Sequence, residues 1–196
     1  MRIKVTHADV TKISSAALII NLFEGISKPS GVTGIIDHAL DGAITQLIID
    51  GEIKGRKEEL TLIHTLGKLP IARILVAGLG NEKEFNQDTV RQITANSCRF
   101  LRSRGVKQVA TIAHGAGIGE VDAFLSGRSI SEGVILGLYT FDRYTNREQD
   151  SNNIECLEIG ESTSDKIPDL ERGVAMGEIL GKATCAVRDM VNEPAN

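Results

Sequence analysis

With 196 residues, of which 41% are hydrophobic and 24% are charged, the chain is long enough to bury a core and has the composition of a globular domain. Its formal net charge of −4 gives no general attraction to nucleic acids or to anionic membranes. Aromatic residues make up only 4% of the chain and tryptophan is absent, which disfavours a surface built for stacking on bases or sugars.

The three cysteines, Cys98, Cys156 and Cys185, lie far apart and form no CxxC pair. The sequence therefore indicates neither a disulfide framework nor a zinc knuckle. The chain begins with a strand-like segment, and no apolar run approaches the ~18 residues of a membrane span. We expect a protein of the reducing cytoplasm that makes no membrane contact.

Hydrophobic periodicity predicts strands that alternate with helices along residues 1–165. The segment 16–22 is a continuous apolar run, which is typical of a strand covered on both faces. Between residues 35 and 48, apolar side chains recur at spacings of three and four, and this pattern predicts a helix that ends at Gly51. Asn86 is predicted to cap the next helix. The predicted strands are 2–6, 16–22, 60–64, 74–77, 109–113 and 154–159, and the predicted helices are 35–48, 86–104 and 121–139.

This alternation predicts the fold class α/β, as a three-layer α/β/α sandwich with a mixed, largely parallel sheet. The order of the strands within the sheet does not follow from the pattern.

One long amphipathic helix is predicted from Pro168 to Val191. Gly173, Gly177 and Gly181 lie four residues apart and therefore line one stripe of this helix. Each glycine costs about 1 kcal/mol of helix propensity relative to alanine. Three glycines in register predict a neighbour that packs very close along the stripe.

Residues 186–196, which read Ala-Val-Arg-Asp-Met-Val-Asn-Glu-Pro-Ala-Asn, resemble a segment of the leucyl (cytosol) aminopeptidase family. In that family the segment joins an N-terminal domain to the catalytic domain. Upstream, residues 75–80 and 132–144 resemble further family elements, the second through Glu132, Tyr139 and Tyr144. The resemblance covers most of the chain, and the last segment is its most specific part.

The resemblance implies that residues 1–165 form a macro-domain-like N-terminal domain with a structural or assembly role. Residues 166–196 would then be a connecting helix and the start of a linker to a catalytic domain beyond this sequence. The connector residues that match the family segment are Arg188, Asp189, Asn192, Pro194 and Asn196.

In this family the catalytic residues and the ligands of two divalent ions, Mn²⁺ or Zn²⁺, lie in the catalytic domain. We therefore expect no catalytic or metal-ligating residue in this chain, and we expect the chain alone to be inactive. The parent enzyme would release N-terminal amino acids from peptides and assemble as a homohexamer.

An independent ligand-binding role is the first alternative. The glycine-rich loop 114–119 follows a predicted strand and precedes a helix, where backbone amides can hold a phosphate. Macro domains bind ADP-ribose at similar strand ends, and Asn21 lies at such an end. Glu24, however, places a negative charge where a pyrophosphate would approach.

Two further alternatives are a DNA-contacting module and a small enzyme with dispersed residues. Basic residues cluster in the region 91–107, where they could contact phosphates: Arg91, Arg99, Arg102, Arg104 and Lys107. For an enzyme, the four histidines are isolated from one another, and the chain contains neither an HExxH nor a GxSxG motif.

Overall fold

The computed structural model describes residues 1–116, 120–144 and 153–194. Within these ranges six strands alternate with five α-helices. The strands are β1 Arg2–His7, β2 Ala17–Phe23, β3 Leu60–His64, β4 Arg73–Gly80, β5 Gln108–Ile112 and β6 Cys156–Glu161. The helices are α1 Gly31–Ala39, α2 Ala43–Ile49, α3 Gln87–Arg102, α4 Ala123–Leu138 and α5 Ile167–Asn192.

The strands form one sheet in the order β1-β6-β5-β2-β4-β3. All neighbours are parallel except β3 and β4, which pair antiparallel at one edge. β2 lies between β5 and β4, and this internal position explains its continuous apolar sequence. The prediction of a mixed, largely parallel sheet is confirmed.

Two hydrophobic cores cover the two faces of the sheet, so the molecule has the three predicted layers. Side chains of β2 alternate between the cores: Leu18 points to one, where it packs with Ile36 of α1, and Ile19 points to the other. The second core lies under α3, α4 and α5. Because β1, β6, β5 and β2 run parallel to one another, their carboxyl ends meet at one edge of the sheet.

The helix predicted over residues 35–48 is wrong in one respect, because the structure divides it into α1 and α2, bent by 106°. Asp41 and Gly42 between them adopt positive φ angles of 56° and 80°, which an α-helix does not allow. The Asp37 carboxylate accepts hydrogen bonds from the backbone N–H groups of Ile44 and Thr45 and so starts the second helix.

The other helix boundaries agree with the sequence pattern. Asn86 caps α3 through its side-chain oxygen, which accepts hydrogen bonds from the N–H groups of Asp88 and Thr89. In the part of the chain that the structure describes, no single helix is long and apolar enough to cross a membrane. Taken together, the bent pair α1 and α2 reaches the necessary length and composition.

Candidate functional site

The glycine stripe of α5 lies against α4 of the same chain. A methyl group added at Gly173 would lie 2.1 Å from the carbonyl oxygen of Phe124, and one added at Gly177 would lie 2.4 Å from that of Arg128. α4 contributes a glycine to the same contact, since a methyl group on Gly127 would lie 2.4 Å from the carbonyl oxygen of Leu170. The two helix backbones touch here, and no side chain larger than hydrogen fits between them.

The last glycine of the stripe, Gly181, faces a side chain and not a backbone carbonyl group. A methyl group on Gly181 would lie 3.0 Å from Cγ2 of Ile135, which is a side-chain atom that can shift. The backbone contact between α4 and α5 is thus tightest in the first half of α5 and loosens beyond Gly177. The glycine stripe fixes the first half of the helix to the domain.

A second contact holds the other half of α5, and it gathers three of the predicted connector residues around Tyr139, which follows α4. The phenol of Tyr139 donates a hydrogen bond to Oδ1 of Asp189 at 2.9 Å, and its oxygen accepts one from Nδ2 of Asn192 at 3.4 Å. The guanidinium carbon of Arg188 lies 5.4 Å from the centre of the Tyr139 ring, within range of a cation–π contact. We call Tyr139, Arg188, Asp189 and Asn192 the tyrosine clamp.

The environment of the tyrosine clamp favours the protonated form of the Tyr139 phenol. Partial burial, assisted by the adjacent Asp189 carboxylate, raises the pKa of Tyr139 above its ordinary value of 10. The phenol is protonated at neutral pH and donates a charge-assisted hydrogen bond to the Asp189 carboxylate.

Glu193, one residue beyond α5, adds a contact that the sequence did not indicate. Its carboxylate accepts a hydrogen bond from the Tyr144 hydroxyl and pairs with Nη1 of Arg143 at 3.1 Å. Tyr139 and Tyr144 both belong to the family-like segment 132–144, which was the available signal. They lie about 50 residues from their partners, so spacing alone could not pair them.

Two predicted connector residues take no part in the tyrosine clamp. Pro194 is exposed and follows Glu193, whose backbone is extended at φ −70° and ψ 127°, as the residue before a proline prefers. Asn196 lies outside the described residues.

The carboxyl edge of the sheet, where the alternative ligand site was predicted, contains a cleft of about 880 Å³. A smaller cleft beside it is lined in part by Asn21 and Gly115. Glu24 lies 3.8 Å from the guanidinium of Arg56. Residues 117–119 of the predicted phosphate loop lie outside the described residues, and nucleotide binding stays a prediction.

Asn21 forms a hydrogen bond with a buried histidine at this edge. Its side-chain amide donates to Nδ1 of His114 at 3.0 Å, and Nε2 of His114 lies 2.7 Å from Oγ1 of Thr111. His114 is fully buried, and this burial lowers its pKa to about 4. The imidazole is therefore neutral, accepts from Asn21 and donates through Nε2 to Thr111.

The basic cluster proposed for DNA contact has partners within the chain. Arg91 pairs with Glu132 at 2.6 Å, and Lys107 pairs with Glu155 at 3.2 Å. Arg102 and Arg104 donate to backbone carbonyl oxygens, and Arg99 contacts a side-chain amide. DNA contact likewise stays a prediction.

Ligands for a metal do not converge in the described ranges 1–116, 120–144 and 153–194, where no three His, Cys, Asp or Glu side chains form a group that could hold an ion. These residues do not fit a two-metal centre. Among the thiols, Cys98 is fully buried on α3, and burial raises its pKa to about 12. It is not available as a thiolate at neutral pH.

Comparison with known families gives a match to the model of the cytosol aminopeptidase family, N-terminal domain, over residues 19–148. Among curated relatives, the probable cytosol aminopeptidase of Alkaliphilus oremlandii is 32% identical over 197 residues. That of Geobacter sulfurreducens is 33% identical over 198 residues. Both alignments cover 100% of this chain and 39% of the relative, so the chain spans about two fifths of their length.

Solved structures of two kinds of protein, a leucine aminopeptidase and a macrodomain, have the same fold as this chain. A tomato leucine aminopeptidase mutant superposes with a TM-score of 0.80 at 20% identity, covering 98% of this chain and 38% of the tomato chain. An Oceanobacillus iheyensis macrodomain mutant with ADPR superposes with a TM-score of 0.66 at 10% identity, covering 88% of this chain and 90% of that one. At these identities the likeness establishes the fold alone.

Proposed function

Since this chain belongs to the cytosol aminopeptidase family and corresponds to its N-terminal domain, we propose that it serves as the non-catalytic domain of a metal-dependent leucyl aminopeptidase. The whole enzyme would release N-terminal amino acids from peptides in the cytoplasm. Its active site would lie in a catalytic portion that follows α5, and the enzyme would assemble as a homohexamer.

The lengths of the relatives support this division of labour. This chain matches 39% of the Alkaliphilus oremlandii relative, which leaves most of that protein to supply a catalytic portion. The proposed Mn²⁺ or Zn²⁺ pair would be held by that portion, and the described residues of this chain offer no converging set of ligands. There the ions would activate a water molecule and polarise the scissile carbonyl group.

The observation that carries the structural role is the double attachment of α5. The glycine stripe fixes its first half to α4, and the tyrosine clamp fixes its last two turns to the segment that follows α4. A helix held at both ends presents whatever follows it at a defined angle to the sheet. We infer that the domain holds and orients the catalytic portion and contributes to subunit arrangement.

The direct test compares two proteins in an assay with a leucyl anilide and added Mn²⁺ or Zn²⁺. One is the 196-residue chain, and the other is the full-length polypeptide encoded by the gene that contains it. We expect turnover from the full-length protein only, and light scattering should find hexamers for it and smaller species for the 196-residue chain. Metal-dependent turnover by the chain alone, or none by the full-length protein, would refute the proposal.

A further inference from the structure

Apolar side chains form an exposed stripe on α5 that the domain does not cover. Their spacings of three and four place them on one face of the helix. Ile179 is 65% exposed, Met190 is 76% exposed and Val191 is 79% exposed. We call this set the apolar stripe, and its members are Met176, Ile179, Leu180, Ala183, Val187, Met190 and Val191.

The apolar stripe is distinct from the face by which α5 packs on the domain. That packed face carries Leu170, Gly173, Val174, Gly177 and Gly181 as the buried residues of the helix. At 100° per residue, the apolar stripe is centred about a quarter turn around the helix from Gly177. α5 therefore has two apolar faces, of which α4 covers one.

Exposure along the apolar stripe is greatest at the carboxyl end of α5. Leu180 is 37% exposed, whereas Met190 is 76% exposed. The most exposed members stand in the same two turns that the tyrosine clamp holds through Asp189 and Asn192. Because the helix is already fixed there, a partner that covers these side chains gains apolar burial without first having to order the helix.

The family alignment indicates which partner fits. The relatives align with this chain over its whole length, α5 included, and possess further sequence that makes up most of their length. We propose that the apolar stripe is the docking surface for the catalytic portion of the same polypeptide, which covers it with an apolar helix or groove. This inference rests on the proposed function and names the contact by which the domain orients its partner.

Methionine oxidation measures this docking directly, because the chain contains three methionines and all three are exposed. Met176 and Met190 belong to the apolar stripe, and Met1, at 53% exposure, lies outside it as an internal control. In the 196-residue chain, dilute peroxide should oxidise all three at similar rates. In the full-length enzyme, we expect Met190 and Met176 to react at least about tenfold more slowly while Met1 is unchanged.

Two charge variants of the full-length enzyme complete the test. Val187→Asp places a carboxylate in the apolar stripe and should restore rapid oxidation of Met190. Ala175→Asp places the same charge on an exposed position of the same helix outside the stripe and should leave Met190 protected. Equal rates for Met190 in the full-length enzyme and in the 196-residue chain would overturn the docking proposal.

The outcomes separate this inference from the proposed function. A full-length enzyme that is active but leaves Met190 unprotected refutes docking alone, whereas an inactive full-length protein refutes the proposed function. If protection of Met190 in the full-length enzyme is lost on dilution, the stripe is covered by a second copy of the enzyme, and that result also overturns docking of the catalytic portion of the same polypeptide.

Discussion

Nothing in the sequence indicated the environment of His114. It looked like one of four isolated histidines, yet its imidazole is fully buried and is hydrogen-bonded through both ring nitrogens, to Asn21 and Thr111. Asn21 lies 93 positions away, so no local pattern could have paired them. Asn86 was predictable, in contrast, because a helix cap depends only on residues within one turn.

The low pKa of His114 makes the stability of the domain depend on pH. The unfolded chain binds a proton at the imidazole below about pH 6.5, whereas the folded chain does so only below about pH 4. The free energy of unfolding should therefore be fully retained above pH 6.5 and fall as the pH drops towards 4, by up to about 3 kcal/mol. Urea titrations between pH 7 and pH 4 measure this loss.

The variant His114→Gln is the control for this prediction. It retains hydrogen-bonding groups but cannot be protonated, so its stability should change less over the same pH range, even if it is lower throughout. A wild-type chain and a variant with parallel pH profiles would show that other groups cause the loss.

At the scale of elements, sequence periodicity located the strands and helices but not the break between α1 and α2. The apolar spacing continues through Asp41 and Gly42 because Leu40 and Ile44 on either side enter the same core. A change of direction leaves such a pattern intact, and the positive φ angles of Asp41 and Gly42 mark it in the structure.

The glycine stripe shows a related limit of prediction from sequence. The spacing of Gly173, Gly177 and Gly181 predicted a close neighbour, but nothing in the sequence identifies that neighbour as α4. Complementary features on α4, such as Gly127, are recognisable only once the two helices are placed together.

Alanine substitutions in the stripe should separate helix propensity from packing. Gly177→Ala would gain about 1 kcal/mol of propensity but would press its methyl group against the carbonyl of Arg128, 2.4 Å away. We expect a net loss of about 2 kcal/mol in the free energy of unfolding, since backbone cannot yield. Thermal and urea denaturation of the 196-residue chain would measure it.

Gly181→Ala is the matched variant, because its nearest neighbour is the flexible end of Ile135. It should be close to neutral, within about 0.5 kcal/mol of the wild type. Equal destabilisation by the two substitutions would mean that the contact is not graded along α5.

For the whole molecule, the sequence predicted three layers and a largely parallel sheet, but the order β1-β6-β5-β2-β4-β3 came only from the structure. The tyrosine clamp belongs to this scale, since it joins residues 139 and 189 across a chain separation of 50. The family-like segments 132–144 and 186–196 contain the residues of the tyrosine clamp, and the fold brings the two segments into contact.

Removal of one hydroxyl tests whether the clamp restrains α5. In Tyr139→Phe the hydrogen bond to Asp189 is lost while the ring remains, so the last two turns of α5 should fray more often. Loss of this hydrogen bond should lower the free energy of local opening at the end of α5 by about 1 kcal/mol. Hydrogen exchange of the amides near Asp189 should therefore become about fivefold faster or more, while the amides near Gly173 should exchange at an unchanged rate.

Phe141 provides the comparison, since it belongs to the same segment but its side chain has no hydrogen-bonding group. If Phe141→Leu accelerates exchange near Asp189 as strongly as Tyr139→Phe does, general loosening of the segment and not the lost hydrogen bond is responsible.

The glycine stripe also has a mechanical consequence. The 26 residues of α5 extend about 39 Å, and the backbone contact with α4 prevents the first half from swivelling. The first half of the helix is thus fixed to α4, and the helix extends from the domain as a rigid element. A fluorescent protein fused directly to its tip would tumble with the domain as one body, and its fluorescence anisotropy would decay with the rotational time of the combined mass.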